Sequence, residues 1–142
     1  MKRISLALMV SVLITACSST QTMSRQEKNL AYQEYIVEQQ LPKLDRVRSF
    51  NMRGWQLLTE SYLIVSASQQ KHYLLELKGF CPDLDYASGI LLKQTNSSSL
   101  TTRFDSVAAL NAPRIKCFIK SIHPITPEQE QALTAIGKPE AT

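Results

Sequence analysis

The chain predicts an α+β domain: an antiparallel sheet of five or six strands, with room to curl toward a barrel, set between an N-terminal and a C-terminal helix. Three observations carry this. From Val47 to Ile122, short runs alternate apolar and polar residues between clusters of turn formers, the pattern of antiparallel strands. Ser24-Arg25-Gln26-Glu27 has the serine and glutamate spacing of a capping box, in which each side chain satisfies an orphan backbone donor of a starting helix. Thr126-Pro127-Glu128-Gln129 repeats that signal, with proline at the first helical position and Gly137 then Pro139 as a stop. At 142 residues the chain supports one core and no second domain.

In the first helix, Leu30, Val37, Leu41 and Leu44 fall roughly on one face, flanked by Tyr32, Tyr35 and Ile36, until Pro42 interrupts the backbone bonding. A face carrying two tyrosines can meet a partner, but docking on the chain's own sheet is the simpler reading. Phe50 and Met52 then point one way and Asn51 and Arg53 the other, after which Gly54 permits a bend that lets Trp55 enter the core. Tyr62 to Ala67 and His72 to Leu77 read as a hairpin joined by Ser68-Gln69-Gln70-Lys71. Within it Tyr73, Leu75 and Leu77 share one face, and His72, Leu74 and Glu76 share a partly wet one.

Gly79 to Leu84 turns the chain, and Pro82 followed by Asp83 and Asp85 suits the first turn of a short helix that Gly89 closes. Ile90-Leu91-Leu92 is a strand, Asn96 to Ser99 a polar loop, and Thr101 to Ala109 a further run. From Ile115 to Ile122 the two-residue alternation places Ile115, Cys117 and Ile119 on one face, so Cys117 points inward.

The start of the chain has a different texture. Met1 to Arg3 are basic at their end, and Ile4 to Ala16 are apolar apart from Ser5, Ser11 and Thr15, the layout of a secretory signal. The stretch is short of the roughly 20 apolar residues that a spanning helix needs. An ordinary signal cut after Ser18 is one reading, since Ala16 and Ser18 are small. Ile14-Thr15-Ala16-Cys17 instead resembles the lipobox of bacterial lipoproteins. That resemblance implies cleavage between Ala16 and Cys17, lipid attachment at Cys17, and palmitate-type acylation of the new terminus. With Ser18 and not aspartate after the cysteine, it also implies the periplasmic face of the outer membrane. The expected organisation is residues 1–16 as signal peptide, 17–23 as an acylated tether of small polar residues, 24–137 as one globular domain and 138–142 as a tail.

Of three cysteines, assigning Cys17 to lipid leaves one pair, and an oxidising compartment favours a Cys81–Cys117 disulfide. A metal site would need another ligand, and no Cys-x-x-Cys or His-x-x-x-His spacing adds His72 or His123 to the pair. No metal and no cofactor are expected. The net charge of +4 loses Lys2 and Arg3 with the signal, and no Lys/Arg run remains, which argues against nucleic acid as a partner.

Trp55, Tyr73, Leu74, Leu77, Cys81, Leu84, Phe104, Asp105, Cys117 and Ile119 together carry a second resemblance, to an uncharacterised family of small proteobacterial lipoproteins of unknown function. It implies the same disulfide and domain limits and brings no activity.

A catalytic set is not visible. Asp83 and Asp85 lie two apart and so face different ways on a helix, where charge at the helix start is their simpler role. His72 and His123 have no nucleophile or carboxylate fixed near them by spacing, and Arg103 with Asp105 suggests an ion pair. The expected function is a non-enzymatic binding or structural accessory of the cell envelope, held to the membrane by lipid and meeting an envelope protein or cell-wall component. One version is an inhibitor of a cell-wall hydrolase acting through the loop Thr95 to Thr102. The competing class is an enzyme whose site is assembled from distant residues. A pocket joining Asp83, Asp105 or His72 to a second polar group would favour the enzyme, and an apolar surface patch would favour binding.

Overall fold

The computed structural model of the chain describes residues 22–138. The signal segment, Ala16, Cys17, most of the tether and the tail after Lys138 lie outside the described residues. The elements run α1 (Arg25–Glu38), β1 (Arg46–Arg48), β2 (Gly54–Leu57), β3 (Tyr62–Ser66), β4 (His72–Leu77), a 3-10 turn (Pro82–Tyr86), β5 (Ile90–Lys93), β6 (Ser99–Thr101), β7 (Ser106–Ala109), β8 (Cys117–Ile125) and α2 (Pro127–Ala135). Six strands form one antiparallel, nearly closed barrel-like sheet in the order β2-β3-β4-β8-β7-β5. β1 and β6 pair separately as a two-stranded ribbon, Val47 opposite Leu100.

Both capping boxes form. Ser24 N donates to Glu27 Oε2 at 2.6 Å and Glu27 N to Ser24 Oγ at 3.3 Å, while Thr126 N donates to Gln129 Oε1 at 2.9 Å and Gln129 N to Thr126 Oγ1 at 3.1 Å. Gly137, at φ +73°, follows α2 in the left-handed conformation that ends helices.

Two cores share the sheet. Leu63, Val65, Leu75, Leu77, Ile119 and Ile122 face inward with Val47, Phe50, Leu84, Leu100 and Val107. On the other side Tyr62, Ile64, Leu74 and Ile125 pack with Tyr32 of α1, Leu41 and Leu133 of α2. β3 and β4 are thus covered on both faces, which explains why Tyr62-Leu63-Ile64-Val65 is apolar without a break. A side chain such as Leu74, fully removed from water, contributes about 2 kcal/mol.

Several local expectations change. α1 ends at Glu38, before Pro42, and docks through Tyr32, with Tyr35 and Ile36 half-buried; Leu30 and Val37 face solvent. The reason is the ring of Tyr62, which meets Tyr32 at 5.3 Å between centroids and sets the rotation of the helix. Phe50 is buried as its alternation implies, yet no strand runs from Ser49 to Arg53, and Trp55 is only half-buried against the inner core. Ile115 lies before β8 and is exposed, so it does not continue the inward row of Cys117 and Ile119. Arg103 and Asp105 form no ion pair. Asp105 is fully buried and accepts from Thr95 N at 2.7 Å, Thr95 Oγ1 at 2.9 Å and Thr101 N at 2.7 Å.

Candidate functional site

Cys81 and Cys117 are joined as a disulfide, Cα to Cα 6.2 Å, and both are buried in the inner core. The bond ties the 3-10 turn to the first residue of β8. Asp85 in that turn pairs with Arg25 at the start of α1, and Asp83 is half-buried beside it without joining a histidine. Of the two aspartates, Asp85 is thus engaged in tying the 3-10 turn to α1. Of the loop Thr95 to Thr102, only Thr95 to Ser98 is exposed; Ser99 to Thr101 is β6, and Thr102 is buried. The exposed tip is short and braced by Asn96 Oδ1, which accepts from Ser98 N at 3.0 Å and Ser98 Oγ at 2.9 Å.

The histidines are not isolated, contrary to their reading from spacing. His72 lies 2.8 Å by Nδ1 from Ser66 Oγ and 2.9 Å from Glu130 Oε2 of α2, while its Nε2 meets the Gln69 carbonyl at 2.9 Å. The ring ties the β3–β4 hairpin to the last helix. It lines a cavity of about 550 Å³ with Arg53, Gly54, Ser66, Ala67 and Gln69.

A second cluster depends on a feature that strict alternation hides. Leu75 pairs with Ile122, Glu76 with Ser121, and Leu77 with Ile119, so β8 carries one extra residue opposite Glu76. The bulge brings both Lys120 and Ser121 to that carboxylate: Lys120 Nζ donates to Oε1 at 2.7 Å and Ser121 Oγ to Oε2 at 3.0 Å. His123 Nε2 lies 3.0 Å from the same Ser121 hydroxyl, and its Nδ1 lies 3.0 Å from the Pro42 carbonyl. Burial holds His123 below its ordinary pKa, against the opposing pull of the Pro42 carbonyl and the Glu76 carboxylate. When the ring is neutral with its proton on Nδ1, the single hydrogen of Ser121 faces two acceptors, Glu76 and Nε2. These groups line a cavity of about 280 Å³ with Gln33, Ile36, Val37 and Lys43. Next to them Tyr62 is buried, its hydroxyl near Gln33 and Glu76 without an ordinary hydrogen bond, and burial with the Glu76 charge pushes its pKa upward. The sequence signal for this cluster is the inward spacing Cys117, Ile119, Ile122, which lengthens from two residues to three.

Apolar side chains are also exposed, among them Val37, Tyr86, Leu110 and Ile115 as well as three phenylalanines. Leu77 N donates to Ser61 O at 2.8 Å, Lys78 N to Phe118 O at 2.8 Å, and Ile119 N to Asp105 O at 3.2 Å, so Phe80, Phe118 and Phe104 stand at one end of the sheet. They are 64%, 40% and 68% exposed. Rings of that size left in water call for an explanation that scattered small apolar residues do not.

Comparison with protein-family models then places the chain. A model described as a family of unknown function, DUF6491, matches residues 1–136. The chain belongs to DUF6491. No curated protein and no solved structure matches it. Membership brings no catalytic residues, so the roles of the DUF6491 chain rest on its own geometry. No group of three or more histidine, cysteine or carboxylate side chains suited to a metal occurs among the described residues, and no described helix is long and apolar enough to cross a membrane.

Proposed function

We propose that this DUF6491 chain is a lipid-anchored periplasmic protein of the outer membrane, acting as a non-enzymatic binding or structural accessory of the cell envelope. The observation that carries the binding role is the group of exposed phenylalanines at one end of an otherwise well-filled domain. Supporting it, Asp85, Asp105 and both histidines are engaged by internal partners. The anchoring rests on Ile14-Thr15-Ala16-Cys17, which falls within the matched span of the family. Cys17→Ser should abolish both precursor processing and membrane attachment. Crosslinking in intact cells, followed by identification of what is attached, tests the binding role. A variant that matures and stays with the outer membrane without Cys17 would refute the anchor.

The enzyme reading keeps one specific observation, the Ser121–His123 contact beside Glu76 in its own cavity. Against it, Ser121 is almost wholly buried and already donates to Glu76. A nucleophilic Ser121 would be labelled by a fluorophosphonate and lose labelling as Ser121→Ala. No labelling of the folded protein is the expected result.

A further inference from the structure

The three exposed phenylalanines share two features that narrow what they meet. Each has a basic residue within two positions: Lys78 before Phe80, Arg103 before Phe104 and Lys116 before Phe118. All three basic side chains belong to exposed residues and make no ion pair among the described residues. Lys120, on the same outward side of β8 as Phe118, is half-exposed and balanced by Glu76. Aromatic rings interleaved with free cations are the composition of surfaces that settle into the boundary between lipid headgroups and acyl chains.

The second feature is where the chain enters. Arg25 pairs with Asp85 in the 3-10 turn that follows Phe80, and Asn29 of α1 bonds Thr59 and Glu60 in the turn before β3. Ser61 Oγ in turn donates to the Gly79 carbonyl at 3.3 Å. The first turns of α1 therefore lie at the same end of the sheet as Phe80 and Phe118. From Cys17 to Ser24 there are seven peptide links, which reach at most about 25 Å when fully extended. An acylated Cys17 therefore holds the start of α1, at this end of the sheet, within about 25 Å of the bilayer.

We propose that the Phe80–Phe104–Phe118 end is a second, non-covalent membrane contact. The rings enter the interface of an anionic phospholipid surface, and Lys78, Arg103 and Lys116 lie against phosphate groups. The inference rests on the reading of Cys17 as lipidated. Tethering makes the contact effectively intramolecular, so a weak patch suffices to orient the domain. Each basic residue beside an anionic surface strengthens such a contact roughly five-fold.

The test uses the full-length protein purified from membranes and reconstituted into phosphatidylethanolamine–phosphatidylglycerol vesicles containing acyl-brominated lipid. Phe104→Trp and Phe118→Trp are compared with the native chain, whose one tryptophan, Trp55, is half-buried on β2 and pairs with Val65, toward the end of the sheet that carries His72. Both introduced rings should be quenched and Trp55 should not. Combining Lys78→Glu, Arg103→Glu and Lys116→Glu with Phe104→Trp should remove at least ten-fold of the quenching, with thermal unfolding unchanged. Mass spectrometry of the Cys17 peptide reads the anchor separately. Unquenched rings in a lipidated, vesicle-bound protein overturn this proposal alone, and a protein crosslink at those rings in cells would then assign the patch to a protein partner. An unmodified Cys17 in protein that does not float with vesicles overturns the anchor, and this proposal with it.

Discussion

Removing the Cys81–Cys117 bond offers the sharpest measurement of how this domain is held. The cysteines are 36 residues apart in sequence, and closing a loop of that size restrains the unfolded chain by about 4 kcal/mol in the chain-entropy model. Both sulfurs sit in the inner core, so Cys81→Ser or Cys117→Ser also leaves a hydroxyl among apolar side chains. For a domain of this size the entropic loss corresponds to a fall in Tm of about 15 °C. The assay is thermal unfolding followed by circular dichroism, with and without reductant. Cys81→Ala, Cys117→Ala and the double variant should fall by similar amounts, and reductant should lower only the native protein. A loss smaller than about 3 °C in the double variant would refute the reasoning, since it would mean that the Pro82–Tyr86 turn and β8 are held by packing alone.

Asp105→Ala leaves the Thr95 and Thr101 backbone amides and the Thr95 hydroxyl without their acceptor, and should cost about 3 to 5 kcal/mol in denaturant unfolding; Asp105→Asn, which keeps one acceptor oxygen, should cost less. Thr126→Ala removes the acceptor for Gln129 N and should cost about 1 kcal/mol, read as a small loss of stability with unchanged fold. His123 has a folded pKa below its ordinary 6.5, so the unfolded chain takes up the proton first as pH falls. Stability should therefore be full above pH 6.5 and decline below it, and His123→Asn should flatten that decline between pH 7 and 5.

The elements most legible in the sequence are those set by local chemistry. Ser24 with Glu27, and Thr126 with Gln129, specify helix starts through bonds that close within one turn, and both starts fall where the spacing puts them. The β3–β4 hairpin and the alternation of Tyr73, Leu75 and Leu77 are equally local, and so is the inward direction of Cys117. What failed depended on partners distant in sequence. The docking face of α1 is met by Tyr62, thirty residues beyond Tyr32, and the row of Leu30, Val37, Leu41 and Leu44 gives no hint of it. The ribbon of β1 and β6 joins Arg46 to Thr101, and no periodicity in either three-residue strand announces the other. Asp105 looked like half of an ion pair because Arg103 is two residues away, while its real partners are backbone amides supplied by the loop at Thr95 and by Thr101.

The bulge in β8 links these failures to the site. A regular strand would turn Lys120 outward and Ser121 inward, and Glu76 would meet one of them. The extra residue turns both outward and returns Ile122 to the core opposite Leu75, so a single register shift serves packing on one face and assembles a polar cluster on the other. The extra residue, Lys120, lies two residues beyond Phe118, whose backbone is bonded to Lys78 and whose neighbour Cys117 is bonded to Cys81. The segments carrying Phe80 and Phe118 are thus joined twice, by the Lys78–Phe118 backbone bond and by the Cys81–Cys117 disulfide. That restraint matters for a contact surface, because rings that are already placed lose little freedom when they meet a partner. Loss of the disulfide should then weaken the Phe80 contact more than the Phe104 contact, which hangs on a turn that Asp105 holds in place.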